Sequence, residues 1–183
     1  MKKGKFVIIS GPSGVGKATI CDELVKKGIG RYSVSMTTRK KRSNEIEGIS
    51  YFFVSKEEFE RHIEEDYFLE YAMYNGNYYG TPNEFIKETT NNGDNVIAVL
   101  EMNGAINAKK IFSNAITIFI MPPSFDELER RLRGRKSEDD NIISERLNIA
   151  KEEIKCKDKY DYIVINNTFD EAVLDIENII NNC

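Results

Sequence analysis

The chain has 183 residues, 40% hydrophobic and 31% charged, with a net charge of −4 at neutral pH. That balance describes a single soluble globular domain with room for small insertions, and it excludes a disordered chain. The acidic balance argues against a general nucleic-acid binder, and apolar stretches of about six residues at most leave no membrane span to expect.

From the N-terminus, Met1-Lys2-Lys3 is basic but no signal-length apolar run follows, so a cytoplasmic location is expected. Phe6 to Ile9 is a short β-branched run that predicts a strand buried on both faces. Gly11-Pro12-Ser13-Gly14-Val15-Gly16-Lys17 then has the spacing G-x-x-x-x-G-K, and Ile20, Leu24 and Val25 supply the apolar stripe of a following helix. Inward-pointing backbone amides at a helix N-terminus make a concave anion site, and the lysine adds a mobile charge for outer phosphates. The residue after Lys17 is Ala18, where the pattern usually carries a magnesium-ligating hydroxyl. Any magnesium is therefore expected on phosphate oxygens and water, with Thr19 as a neighbour and no protein metal site.

Gly28 and Gly30 end that helix, and Ser33 to Thr38 predicts a second strand. Arg39 to Arg42 is a basic loop, Tyr51 to Val54 a strand, and Ser55 with Glu58 has capping-box spacing for a helix. The only histidine, His62, lies mid-helix among charges and reads as solvated. Tyr67 to Tyr74 predicts a strand, Asn75-Gly76 a hairpin, and Pro82 the first position of a helix capped by Thr81. From Asn95 onward, the apolar runs 96–100, 116–121 and 162–165 alternate with helical patterns at 105–112, 124–132, 142–156 and 169–180. Wholly apolar strands alternating with helices predict a parallel sheet covered on both faces. The expected fold is therefore an α/β three-layer P-loop core with a mixed β-rich insertion at about 33–81. Cys21, Cys156 and Cys183 are widely spaced and odd in number, implying neither a disulfide framework nor zinc.

Within the insertion, Ser35, Arg39, Arg42, Tyr51 and Tyr79 suit a second phosphate, because two arginines can fork onto a dianion and tyrosines add neutral donors. Glu70 and Glu101 stand beside apolar strands, where ligands bind in such sheets. The arginines at 130–135 end a helix, where its dipole favours them. The functional reading of this basic group, Arg130, Arg131, Arg133, Arg135 and Lys136 with Arg146 beyond it, is a mobile lid whose arginines neutralise charge during phosphoryl transfer.

These segments, with Gly48-x-x-Tyr51-x-Phe, Phe68-x-Glu70-Tyr, Gly76-Asn-Tyr-Tyr79-Gly-Thr81, Pro122-Pro-Ser and Tyr-Asp-Tyr-Ile-Val-Ile-Asn166, together resemble guanylate kinase, in that family's order over essentially the whole chain. The resemblance implies a helical lid at about 134–146 and the reaction ATP + GMP giving ADP + GDP, with dGMP as a second acceptor and magnesium carried with ATP. It implies that residues 11–19, from Gly11 through Thr19, bind ATP phosphates, that Lys17, Arg135 and Arg146 are catalytic, and that Asn166 lies near adenine. Ser35, Arg39, Arg42, Tyr51 and Tyr79 would hold the GMP phosphate, and Glu70, Thr81 and Glu101 would read guanine. The chain departs from the family pattern at Ala18, Lys41, Asn44, Val99, Asn103 and Lys136. A guanylate-kinase-like binding module and a kinase for another monophosphate are the competing readings; the module class typically lacks the loop lysine or lid arginines, which are present here. The oligomeric state is not readable from the sequence.

Overall fold

The computed structural model describes residues 3–43, 45–74, 76–134 and 140–183, with the backbone alone at position 74. In chain order the elements are β1 (Phe6–Ser10), α1 (Lys17–Lys26), β2 (Arg31–Tyr32), β3 (Met36–Thr37), β4 (Phe52–Phe53), α2 (Lys56–Glu64), β5 (Phe68–Tyr74), β6 (Asn77–Pro82), α3 (Asn83–Asn91), β7 (Val96–Val99), α4 (Met102–Ile111), β8 (Ile116–Met121), α5 (Phe125–Gly134), α6 (Asp140–Ile154), a 3-10 turn (Lys157–Lys159), β9 (Tyr162–Ile165) and α7 (Phe169–Asn182).

Five strands form an all-parallel sheet in the order β2-β7-β1-β8-β9. The continuous apolar runs are explained by cover on both faces. On one face, Val7 and Ile9 of β1 meet Ile20 and Leu24 of α1 and Ala172, Val173 and Ile176 of α7. On the other, Phe6 and Ile8 meet Ile86 of α3 and Ala105 and Ala108 of α4. Each fully buried isoleucine on this strand contributes about 1.5–3 kcal/mol over an exposed one. Helices α5 and α6 pack through their own cluster of Leu128, Leu132, Ile143, Leu147 and Ala150. The strand β9 departs from the expected two-faced burial: Ile163 and Ile165 are exposed, because β9 is the edge of the sheet.

The insertion is a second, mixed sheet in the order β4-β3-β6-β5. The stretch expected to be one strand at 33–38 is divided between the two sheets. Arg31–Tyr32 pairs with β7 in the core, the Ser33 amide makes a last bond to the Ile97 carbonyl (2.8 Å), and Met36–Thr37 pairs with β4 and β6. Period-two alternation runs through both pieces, so it cannot mark the crossing. The strand expected at 51–54 shortens to Phe52–Phe53. Ser55 caps α2 as its spacing requires, its hydroxyl accepting from the Glu58 amide. His62 is not solvated: its ring stacks on Tyr67 with centroids 4.4 Å apart. Phe59, fully buried, stacks between Phe68 (4.4 Å) and Tyr78 (5.0 Å), so the insertion is held by aromatic faces.

At the return to the core, Pro82 is not the first helical residue. Its extended ψ of 132° makes it the N-cap of α3, and Thr81 does not cap that helix, because its hydroxyl points across the hairpin instead. Opposite it, the β5–β6 pairing slips between Phe68 and Glu70, a bulge that sends Leu69 into the core cluster and sets Glu70 against Thr81. No helix among the described residues is long and apolar enough to cross a membrane.

Candidate active site

The loop between β1 and α1 takes the shape its glycines permit. Gly11 has φ 142°, and a Cβ there would lie 2.4 Å from the Ile120 carbonyl oxygen, so only glycine fits so close to β8. Gly16 has φ 100° and is the N-cap of α1 with no side chain to bond the first-turn amides, the arrangement of an anion site. The Lys17 ammonium donates to the carbonyls of Gly11 (2.5 Å) and Pro12 (3.1 Å), so its charge is drawn back over the loop. Ala18 and Thr19 continue the first turn of α1, and Pro12, Ser13, Gly14 and Val15 complete the loop.

Asn166, at the end of β9, is expected near adenine; its amide donates 2.8 Å to the Val15 carbonyl, and its own carbonyl accepts from Arg131 (3.2 Å). This is a bolt between the loop, β9 and α5. The remaining arginines of α5 are engaged locally, Arg130 with Glu127 and Arg133 with Glu129 and Asp140. Arg130 and Arg131 hold the Glu127 carboxyl down to about 2. Arg146 is half-buried on α6, whereas Arg135 lies outside the described residues.

Sequence reasoning missed Glu153, two helical turns after Arg146 on α6. Burial pushes its carboxyl up, the charge of Lys17 and the Ser13 backbone amide oppose that, and its Oε2 is buried with no hydrogen-bond partner of normal geometry among the described residues. The seven-residue spacing from Arg146 was the available signal, since i and i+7 share a helix face.

In the insertion, Arg39, Tyr51 and Tyr79 converge. The Arg39 guanidinium lies 5.6 Å from the Tyr51 ring centre, and Tyr51 and Tyr79 meet edge-on at 6.0 Å. The missed residue here is Glu45, which takes both arms of Arg39 (3.0 and 2.6 Å) and the Arg42 amide (2.8 Å). Its carboxyl is held low, chiefly by Arg39. A carboxylate thus occupies the fork where a phosphate is expected. The Ser35 carbonyl bonds the Phe52 amide (2.9 Å), which brings it beside Tyr51; the Arg42 side chain is exposed at the rim.

Glu70, Thr81 and Glu101 also come together. The Thr81 hydroxyl donates to Glu70 Oε1 (2.7 Å). Burial pushes the Glu70 carboxyl up, the Thr81 bond lowers it, and the charge of Glu101 at the N-cap of α4 raises it further. A mostly buried carboxylate, held by one hydroxyl and close to a second carboxylate, needs hydrogen-bond donors to be ionised comfortably.

For a resident cation the residues offer little. Ala18 has only a methyl, Val99 no oxygen in its side chain, and no group of three His, Cys, Asp or Glu side chains able to hold a metal occurs among the described residues.

Comparison with known proteins identifies the family. The guanylate kinase family model matches residues 3–183. A guanylate kinase of Halalkalibacterium halodurans is 45% identical over 180 residues, covering 98% of this chain and 88% of that protein. One from Clostridium acetobutylicum is 46% identical over 179 residues, covering 98% and 86%. The crystal structure of guanylate kinase from Anaplasma phagocytophilum superposes with a TM-score of 0.83 at 32% identity, covering 99% of this chain and 86% of that one. With the glycine loop, the forked arginine and the neighbouring Glu70 and Glu101 carboxylates on one chain, and full-length similarity beside them, the chain belongs to the guanylate kinase family.

Proposed function

We propose that this chain transfers the γ-phosphoryl group of ATP to GMP, and to dGMP, giving ADP and GDP. The observation that carries the reading is Glu70, a half-buried carboxylate bonded to Thr81 and standing near Glu101. Guanine presents N1–H and an exocyclic amine side by side, two donors for one carboxylate. Adenine lacks that amine and turns an N1 lone pair toward the charge. An ionised carboxylate has room for these two donors and for the Thr81 hydroxyl. In this reading Thr81 holds Glu70 in place, and Glu101 completes the acidic wall.

Arg39, Arg42, Tyr51, Tyr79 and Ser35 then hold the GMP phosphate, with Glu45 yielding the Arg39 fork to it. The loop from Gly11 to Thr19 holds the ATP phosphates. The Lys17 ammonium leaves the Gly11 and Pro12 carbonyls for the γ-phosphoryl oxygens, and Arg146 and Arg135 reach the same group. A GMP phosphate oxygen attacks the γ-phosphorus while the bond to the β-bridging oxygen breaks, and the leaving charge passes to ADP. The protein's part is alignment and charge compensation in a loose transition state. A divalent ion accompanying ATP would be held by phosphate oxygens and water beside Thr19, and would add to the charge compensation at the transferring group. The insertion at 33–81 is the GMP-binding subdomain, segment 134–146 the lid, and the working location the cytoplasm.

The test is a coupled assay of ADP release with GMP, dGMP, AMP, CMP and UMP. GMP and dGMP stimulate ADP formation and the others do not. GMP binding without any stimulated turnover overturns the reading.

A further inference from the structure

Gly104 is the third residue of α4, buried, in the first turn of a helix, where alanine is the better helix former. Its backbone needs no left-handed conformation, so alanine could adopt it. The reason for glycine lies across the gap. A Cβ at this position would stand 2.8 Å from Glu70 Oε2, 3.0 Å from its Cδ and 3.5 Å from its Cγ. The three nearest atoms thus all belong to the one side chain whose other oxygen is held by Thr81. The helix surface at Gly104 is a floor on which the Glu70 carboxylate rests.

We propose that Gly104 is a positioning residue for purine selection: the missing side chain sets where the Glu70 carboxylate sits, and any larger residue swings that carboxylate off the line of the guanine donors. This rests on the reading of Glu70 as the guanine acceptor. The obstructed atoms are the free end of a flexible side chain, with no backbone among the three. The fold therefore absorbs an alanine by turning Glu70 aside, at the expense of the 2.7 Å bond to Thr81. Stability and recognition then move in opposite directions, which separates this role from a packing role. A glycine conserving only helix packing would destabilise the chain when enlarged.

The experiment uses Gly104→Ala, Glu70→Ala and the double variant, each measured by calorimetric titration with GMP and with ATP and by thermal melting. Gly104→Ala is expected to weaken GMP by about tenfold or more, the loss of a well-aligned charge-assisted bond, to leave ATP affinity within about twofold, and to melt no lower than the parent. In the Glu70→Ala background the same substitution is expected to be silent, since the two positions act through one contact. GMP affinity unchanged in Gly104→Ala while Glu70→Ala is weak overturns the inference alone, as does a double variant weaker for GMP than Glu70→Ala. If Gly104→Ala melts well below the parent, its melting in the Glu70→Ala background decides: recovery upholds the contact, and no recovery overturns it. A Glu70→Ala variant that binds GMP like the parent overturns the guanine reading, and the inference with it.

Discussion

Asn166→Ala removes one hydrogen bond whose consequence can be worked from the structure. The Asn166 amide donates 2.8 Å to the Val15 carbonyl; Asn166 is 6% exposed and Val15 fully buried. Truncation leaves that carbonyl without its side-chain donor in a place water reaches poorly. An orphaned buried polar group costs about 1–3 kcal/mol, so about 2 kcal/mol is the central expectation. For a chain of this size each kcal/mol moves the melting midpoint by about 2–4 °C, which gives a drop of about 4–8 °C. Because Val15 lies inside the phosphate-binding loop, the same free energy bounds the loss of ATP affinity at about thirtyfold, while GMP affinity stays within about twofold. Differential scanning calorimetry with ATP and GMP titrations measures all three quantities. A variant that melts with the parent and binds ATP as tightly refutes the anchoring role. A loss shared equally by ATP and GMP refutes its confinement to the loop.

Other substitutions probe the remaining parts. Lys17→Met, which keeps the length and removes the charge, should abolish phosphoryl transfer with melting unchanged; near-normal turnover in steady-state kinetics would make the loop merely structural. Arg146→Ala should lower turnover by ~10³ or more, as for arginines at transferring phosphoryl groups, with a much smaller effect on GMP affinity by calorimetry; equal losses would place it at the monophosphate. Glu70→Gln should reduce kcat/KM for GMP by about tenfold or more. The same variant should melt higher than the parent at neutral pH. Burial raises the Glu70 carboxyl above its ordinary 4.5, so the folded state holds its proton more tightly than the unfolded state and the penalty exists only where Glu70 is ionised. Melting curves of the two proteins should therefore converge as the pH falls below about 4.5, and a constant gap would count against a buried charge.

What was legible in the sequence was local. The glycine loop and the Ser55 cap depend on residues within a few positions of one another, the Asn75-Gly76 turn signal falls partly outside the described residues, and the family resemblance placed Arg39, Tyr51, Glu70 and Glu101 in groups. What was not legible depends on partners far along the chain. Nothing near Thr81 shows that its hydroxyl faces Glu70, eleven residues away, instead of capping α3. The crossing between sheets at 33–35 is hidden because alternation continues through it. Asn166 reaches Val15 across 151 positions, and Glu153 meets the loop only because α6 is laid against it. The bulge that turns Glu70 toward Thr81 exists only in the pairing of two strands.

The aromatic packing of the insertion gives the molecule an optical property. The chain has no tryptophan and nine tyrosines, six of which (Tyr51, Tyr67, Tyr71, Tyr74, Tyr78 and Tyr79) fall within 33–81. With no indole to drain excitation by energy transfer, ultraviolet emission from the unlabelled protein originates mostly in this segment. Tyr78 stacks on Phe59, and Tyr51 lies beside the Arg39 guanidinium. Their emission should respond to whatever displaces the Glu45 carboxylate from that arginine. Monophosphate occupancy can therefore be followed in stopped-flow by native fluorescence, with no dye attached and no residue exchanged.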